Sequence, residues 1–232
     1  MTGAPGPLEA ELLDVALDAA AAAVDLIHTR RPASFAVRSK SSLTDMVTEM
    51  DTASEALIRS KIAERRPGDT VIGEEGGEDV GSDGGVTWWV DPIDGTTNYV
   101  YDHPGYNVSI AAGVGRRALV GVVADPTHGR TYAAVRGGGA RCDDTPLVLG
   151  PPPPLEAALV ATGFAYDPER RSRQGRVAGE LVGRVRDLRR MGAAALDLCS
   201  VAAGRVDAYY EAGLSVWDLA AGALIAEEAG AR

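Results

Sequence analysis

The sequence predicts a mixed α/β chain, and three patterns carry that prediction. Apolar residues recur at helical spacing in the opening stretch, short β-rich runs separated by turn signals follow as far as residue 136, and strand-like and helix-like segments alternate after residue 155. A chain of 232 residues that is 45% hydrophobic can bury one large core or two closely packed halves.

In chain order, Leu8, Leu12, Ala16, Ala20, Val24 and Ile27 mark a first amphipathic helix. A second is expected over residues 47 to 65, with Val47, Met50, Leu57, Ile58 and Ile62 as its buried stripe and Pro67 with Gly68 as its stop. Thr48 and Asp51 stand three apart there and share a face. Strands are expected near 70 and 88 and over 106 to 114, 119 to 125 and 130 to 136, with turns at ADPTHG and RGGGA, which reads as an antiparallel meander. After the run PPPP at 151 to 154 come a strand at 155 to 162, a charged helix at 168 to 186, a strand at 187 to 191, a helix at 193 to 203, a strand at 205 to 211 and a helix at 217 to 229. The prolines divide an amino-terminal half, 1 to 150, from a carboxyl-terminal half, 151 to 232, hinged within one compact unit.

The stretch WWVDPIDGTTN at 88 to 98 holds the densest chemistry. Pro92 keeps the preceding residue extended, so Asp91 is expected at the carboxyl end of the strand carrying Trp88, Trp89 and Val90, where open sheets place ligands. Asp94 can turn back toward the same point. Gly95 lets backbone approach a ligand, and Thr96 and Thr97 start an element whose unpaired N–H groups suit an anion. The same letters also spell an Asx turn between a strand and a helix. Two more acidic clusters favour a metal site: Glu74 and Glu75 follow the run Thr70, Val71, Ile72, and Asp218 stands at the entrance of the last helix. Two carboxylates about 4 Å apart repel by roughly 4 kcal/mol at an effective dielectric near 20, a cost that Mg2+ removes. His28, His103 and His128 are scattered as surface or turn residues, and Cys142 and Cys199 lack metal or redox spacing.

The net charge of −10 argues against nucleic acid as a direct partner, and it would repel a phosphorylated substrate unless bound cations reverse the field locally. The amino terminus is acidic without a basic leader, so no signal peptide is expected. No stretch of 18 or more apolar residues lacks charge, so no membrane span is expected and a cytoplasmic location is.

GEE at 73 to 75, DPIDGTTN at 91 to 98 and WDLAAGALIAEEAG at 217 to 230 resemble, in order and spacing, the signatures of the inositol monophosphatase family of lithium-sensitive, Mg2+-dependent phosphatases. KSSLTDMVTEMD at 40 to 51 resembles the family's amino-terminal motif, and GAAALDLCSVAAGRVDAYYE at 192 to 211 the segment leading to its substrate-contacting glutamate. The resemblance implies the layered αβαβα sandwich shared with fructose bisphosphatase and two or three Mg2+ ions. It implies Glu74, Asp91 and Asp94 as metal ligands, with the Ile93 carbonyl helping, Asp218 completing a second site and Asp91 bridging two ions. It further implies that Thr96 and Asp51 orient the attacking water with Glu74, and that the Gly95 and Thr96 amides hold phosphate oxygens. Glu211 would pair with substrate hydroxyls beside Asp218, and the backbone of Gly192, Ala193 and Ala194 would line the sugar ring. Those three residues also read simply as a strand-to-helix turn. Glu75 and Lys40 match more loosely, as a supporting or surface carboxylate and as a nearby or solvated lysine.

The implied activity is hydrolysis of inositol monophosphate by a homodimer. Histidinol phosphate or fructose 1,6-bisphosphate stands as an alternative substrate, and a non-catalytic binding protein on the same fold as an alternative class. Two departures stand out: the sequence stops at Gly230, Ala231 and Arg232 where the family continues, and it lacks the second glycine of the usual EAGG. The carboxyl-terminal half is therefore expected to be incomplete, leaving Leu219, Ala223, Leu224 and Ala226 of the last helix without cover.

Overall fold

The computed structural model describes residues 6–35, 38–39, 46–81 and 85–232, so Lys40 lies outside the described residues. Helix α1 (Pro7–Thr29) starts on a proline, whose fixed φ suits the first helical turn and whose missing N–H is not needed there. Leu12, Ala16, Ala20 and Ile27 are buried as their spacing predicts, Val15, Ala19 and Ala23 widen the stripe, and Leu8 and Val24 are half-buried.

Two short strands, β1 (Arg38–Ser39) and β2 (Met46–Val47), pair antiparallel before α2 (Glu49–Arg65). Val47 therefore belongs to a strand and not to the expected helix. The boundary falls there because Thr48 and Asp51 form a capping box, an arrangement worth about 1 kcal/mol to a helix start. Met50, Ile58 and Ile62 are buried as expected, Leu57 only partly, and the polar residues Asp51, Ser54 and Glu55 share the buried face.

An eight-stranded sheet follows, built from β3 (Thr70–Gly73), β4 (Gly77–Asp79), β5 (Val86–Asp94), β6 (Asn107–Val114), β7 (Arg117–Asp125), β8 (Arg130–Val135), β9 (Gly139–Cys142) and β10 (Thr145–Leu147), in the order β10-β9-β8-β7-β6-β5-β3-β4. A short helix, α3 (Thr96–Val100), links β5 to β6. From β5 to β10 the chain is the expected antiparallel meander. The exception is β3, which pairs with β5 in parallel: the β3–β4 hairpin reverses the chain before β5 enters, so β5 runs in the direction of β3. Two-residue alternation divides the sheet. Trp88, Val90, Ile110, Ala112, Val120 and Val122 join α1 and α2 in one core, while Trp89, Ala111, Val123, Tyr132 and Ala134 face the opposite way.

Beyond the prolines lie a 3-10 turn (Leu155–Ala157), β11 (Leu159–Thr162), α4 (Pro168–Leu181), β12 (Asp187–Arg189), α5 (Ala194–Ala202), β13 (Ala208–Tyr210) and α6 (Val216–Ala229). Strand pairing starts at Leu159 instead of Leu155, because the Ala157 and Ala158 N–H groups are spent in the 3-10 turn, on the Pro154 and Leu155 carbonyls. Helix α4 stops at Leu181, earlier than expected, where Val182 and Gly183 weaken helix propagation. The three strands form a parallel sheet in the order β12-β11-β13.

Helix α5 lies between the sheets. Its Ala195, Cys199 and Ala202 join α6 against the large sheet, and Val201 meets Ala161 and Val206 on the small one. Leu181 of α4 packs with Ala158, Val160 and Val185 beyond the small sheet. The layers run α1/α2, large sheet, α5/α6, small sheet, α4, which is the expected αβαβα sandwich. Helix α6 crosses β7 so closely that a Cβ on Gly121 would stand 2.9 Å from the Ala221 Cα. Leu224 and Ala226 are thereby buried, contrary to expectation, while Leu219 and Ala223 are half-buried: the large sheet supplies the cover.

Candidate active site

Strand β5 does not end at Asp91. It runs through Pro92 to Asp94 with a shift of register against β6 between the two aspartates, a bulge that lets a residue without an N–H pass through a ladder. Asp91 Oδ1 accepts the Ile93 N–H at 3.1 Å, so the Asx contact is present within the acidic site, and the two readings of this segment hold together. Gly95 then turns the chain at φ 89°, and a Cβ there would stand 2.8 Å from the Gly105 carbonyl oxygen, so the position demands glycine on both counts.

Thr96 opens α3 with its Oγ1 2.9 Å from Asp51 Oδ1 and 3.1 Å from the Ile93 carbonyl. Asp51 is fully buried, and its Oδ2 accepts the Thr48 N–H at 2.8 Å and the Thr48 hydroxyl at 2.6 Å. Asp94 Oδ2 accepts from Asn107 Nδ2 at 3.0 Å and from the Ala195 N–H at 2.8 Å, tying the end of β5 to the first turn of α5. Asn98 Nδ2 reinforces that junction by donating to the Gly105 and Met191 carbonyls. Asp218, three residues past the Ser215 N-cap of α6, accepts the Ser215 N–H at 2.6 Å. Glu211 Oε2 accepts the Tyr209 hydroxyl at 2.7 Å.

These elements enclose a cleft of about 470 Å³. Glu74, Asp91, Ile93, Asp94, Gly95, Thr96, Gly192, Ala193, Ala194, Glu211 and Asp218 all line it, while Asp51 stands behind Thr96 and bonds to it. Glu75 does not line it; its backbone N–H is bound by Glu55. The histidines are exposed, and both cysteines are free, Cys199 buried and Cys142 half-buried.

The acids are strained electrostatically. Burial pushes the Asp91 carboxyl well above its ordinary value, and repulsion from Glu74, Asp94, Asp218 and Asp51 adds to it. Asp94 is raised to about 6, chiefly by burial and against its Asn107 and Ala195 hydrogen bonds. Asp218 is raised to about 7 by burial and by the nearby Asp94. Asp51 is also raised, burial outweighing its three hydrogen bonds.

A family model describing the inositol monophosphatase family matches residues 8–232. The chain belongs to the inositol monophosphatase family. Its place there makes it a phosphoric monoester hydrolase. Inositol-1-monophosphatase SuhB of Mycobacterium tuberculosis is 48% identical over 241 residues, covering 96% of this chain and 83% of the relative. The solved structure of Mycobacterium tuberculosis SuhB superposes with a TM-score of 0.83 at 46% identity, over 97% of this chain and 86% of that one. Nus factor SuhB of Pasteurella multocida is 45% identical over 190 residues, 82% of this chain and 71% of the relative.

The donor chemistry of this family member's cleft fits a hard cation. Glu74, Asp91, Asp94 and Asp218 line it with Ile93, and the hydrogen bonds that Asp91, Asp94 and Asp218 accept do not exhaust their oxygen lone pairs. Among the described residues no group of three or more His, Cys, Asp or Glu is already gathered as a metal-binding set. The acids ring the cleft instead, an arrangement suited to an ion that keeps waters and takes substrate oxygens.

Several participants escaped the sequence reading. The Ala195 amide, Asn98 and Asn107 orient the site through contacts 7 to 101 residues apart in sequence, and no local spacing announces them. Arg170 and Arg190 bring positive charge to the cleft wall. Asn98 closes the quoted segment DPIDGTTN, so its presence in that segment was the one available signal.

Proposed function

We propose that this chain hydrolyses the phosphomonoester of a small polyol, inositol monophosphate foremost, by attack of a water molecule with the help of Mg2+. The observation that carries the reading is that buried Asp91 and Asp94 and half-buried Asp218, all three with raised pKa values, line one cleft with Glu74, next to a hydroxyl already bonded to a buried carboxylate. Glu74, Asp91, Asp94 and Asp218, with the Ile93 carbonyl, would hold two or three Mg2+ ions, Asp91 being shared. Bound there, the ions would acidify water and neutralise charge on the phosphate.

The chain's own groups do the rest. A hydroxyl has one proton, so when Thr96 Oγ1 donates to Asp51 its lone pairs are left to accept from the attacking water. As the water oxygen bonds to phosphorus, its proton passes to Thr96 and the Thr96 proton to Asp51, whose raised pKa suits it to receive one. The Gly95 and Thr96 amides hold phosphate oxygens, the ester P–O bond breaks with its electron pair going to the polyol oxygen, which takes a proton from water while the Asp51 proton returns to solvent, and no covalent enzyme intermediate forms. Glu211 and the backbone of Gly192, Ala193 and Ala194 orient the polyol hydroxyls. Inhibition by Li+, a cytoplasmic location and assembly as a homodimer belong to the same reading. The term Nus factor in the name of the Pasteurella multocida relative describes that protein; for this chain, a net charge of −10 opposes direct contact with nucleic acid.

Phosphate release is measured with inositol 1-phosphate, histidinol phosphate and fructose 1,6-bisphosphate, with and without Mg2+ and Li+. The expected result is Mg2+-dependent release, fastest from inositol 1-phosphate and slowed by Li+. Release from none of the three refutes the reading, and a clear preference for either competitor reassigns the substrate.

A further inference from the structure

Glu55 lies one helical turn after Asp51 on α2 and is 2% exposed, yet it does not line the cleft. Its two oxygens are both committed. Oε2 accepts the Glu75 N–H at 2.7 Å, and Oε1 accepts the Gly76 N–H and Arg59 Nε, each at 2.8 Å. The two amides belong to the residues immediately after Glu74, where β3 gives way to the turn into β4. Arg59 continues the grip, reaching the Val71 carbonyl at 3.2 Å, the Gly77 carbonyl at 2.6 Å and Asp79 Oδ2 at 2.7 Å, so it touches both strands of the hairpin. The hairpin is also shaped around the carboxylate: a Cβ on Gly73 would stand 2.4 Å from it, and one on Gly76 2.7 Å from its Oε1.

We propose that Glu55, braced by Arg59, is a positioning residue that sets the height and angle at which Glu74 enters the cleft, and so sets metal affinity. This rests on the reading that Glu74 is a metal ligand. A hairpin tip has no need of a buried carboxylate to stay folded, since exposed turn amides are satisfied by water. Burying one here makes sense where the position of the adjacent ligand matters. The contact also makes α2 the common support of both arms of the site: Asp51 holds Thr96 from one turn, and Glu55 holds the Glu74 loop from the next.

The test is Glu55→Gln, which preserves shape but presents an NH2 group to one of the two amides. Mg2+ binding is read directly by titration calorimetry, alongside the Mg2+ dependence of phosphate release. Partners that orient metal ligands typically account for about 10- to 100-fold in metal affinity, and a weakening of that size is expected in both readouts, with turnover largely restored at saturating Mg2+. Arg59→Lys, which leaves the carboxylate and its amide contacts in place, is expected to shift Mg2+ binding less and in the same direction. It also serves as the test if Glu55→Gln does not fold. A lowered thermal midpoint with Mg2+ affinity within about twofold of the parent, in whichever variant folds, makes the pair a hairpin clamp only and overturns the proposal. A parent protein without Mg2+-dependent activity that nevertheless loses Mg2+ binding in Glu55→Gln overturns the proposed function and not this inference.

Discussion

Asp51→Asn separates proton acceptance from architecture at this site. Asp51 receives three hydrogen bonds: two from Thr48, at 2.8 and 2.6 Å, on one oxygen, and one from Thr96, at 2.9 Å, on the other. Asparagine can keep its carbonyl oxygen toward Thr48 and so preserve the capping box of α2. Its NH2 would then face Thr96 and donate to it, and the Thr96 proton would turn to the Ile93 carbonyl, 3.1 Å away. Each bond to a charged acceptor is worth about 1.5 to 3 kcal/mol against about 0.5 to 1.5 for a neutral one, but the substitution also removes the desolvation that raises the Asp51 pKa. The two effects oppose each other, so the net change in stability should stay within about 2 kcal/mol, or a few degrees in thermal midpoint for a chain of this size. Catalysis has no such compensation. Thr96 would accept from asparagine and pass no proton to it, so turnover at saturating Mg2+ should fall by about 10²- to 10⁴-fold, the usual weight of a positioned proton acceptor. Steady-state phosphate release and a thermal melt of the same preparation test both halves. A folded Asp51→Asn variant retaining more than about a tenth of parental turnover refutes the assignment of Asp51 as proton acceptor.

Asp91→Asn should abolish Mg2+-dependent turnover and the thermal shift caused by Mg2+, while raising the midpoint of the metal-free protein by relieving repulsion with Glu74, Asp94 and Asp218; a preserved Mg2+ shift would argue against its bridging position. Glu211→Gln should slow inositol phosphate hydrolysis by about 10- to 100-fold while sparing a simple aryl phosphate, which offers no hydroxyls, and equal losses on both would remove Glu211 from recognition. Asp94, Asp218 and Asp197 have pKa values raised to about 6, 7 and 8, all chiefly by burial, so between pH about 4 and 8 the folded metal-free chain binds more protons than the unfolded one. Its stability should therefore fall as pH rises through that window, by at most about 1.4 kcal/mol per pH unit for each group, and Asp197→Asn should flatten the upper part of the decline. Chemical denaturation of metal-free parent and variant across that range checks the sign, and a stability that rises with pH would contradict it.

Elements governed by a single strong period were legible from the sequence. The stripe of α1 is one case, and the alternation that sends Trp88 and Trp89 to opposite cores is another. Those governed by partners were not. Strand β4 is entirely exposed and carries no apolar signal, and it is paired only because β3 lies beside it. The parallel β3–β5 pairing follows from that hidden hairpin. Helix α3 is five residues long, too short to show a period, and exists because Gly95 turns the chain. Leu224 and Ala226 were expected to stand uncovered for want of a following strand, whereas their cover includes β7, which is remote in sequence from α6.

The site was legible in its charges and hidden in its supports, for a physical reason. Carboxylates that gather against their mutual repulsion must be spelled out as Asp and Glu, whereas the groups that aim them are largely backbone amides that any residue can supply. The Ala195 N–H on Asp94 and the Ser215 N–H on Asp218 are such groups, as are the Glu75 and Gly76 N–H groups that donate to Glu55. The supports also lie on different layers. Asp94 ends a strand of the large sheet and is fixed by the first turn of α5, which packs between the two sheets, while Asp218 opens α6 in that same helical layer. The cleft therefore has its shape only when the large sheet and the α5/α6 layer are docked, and the repulsion among Asp91, Asp94 and Asp218 works against that docking. A cation bound among them would relieve the repulsion and strengthen the junction at once. Metal binding and the packing of these layers would then be two aspects of one equilibrium, linked through the Asp94–Ala195 hydrogen bond.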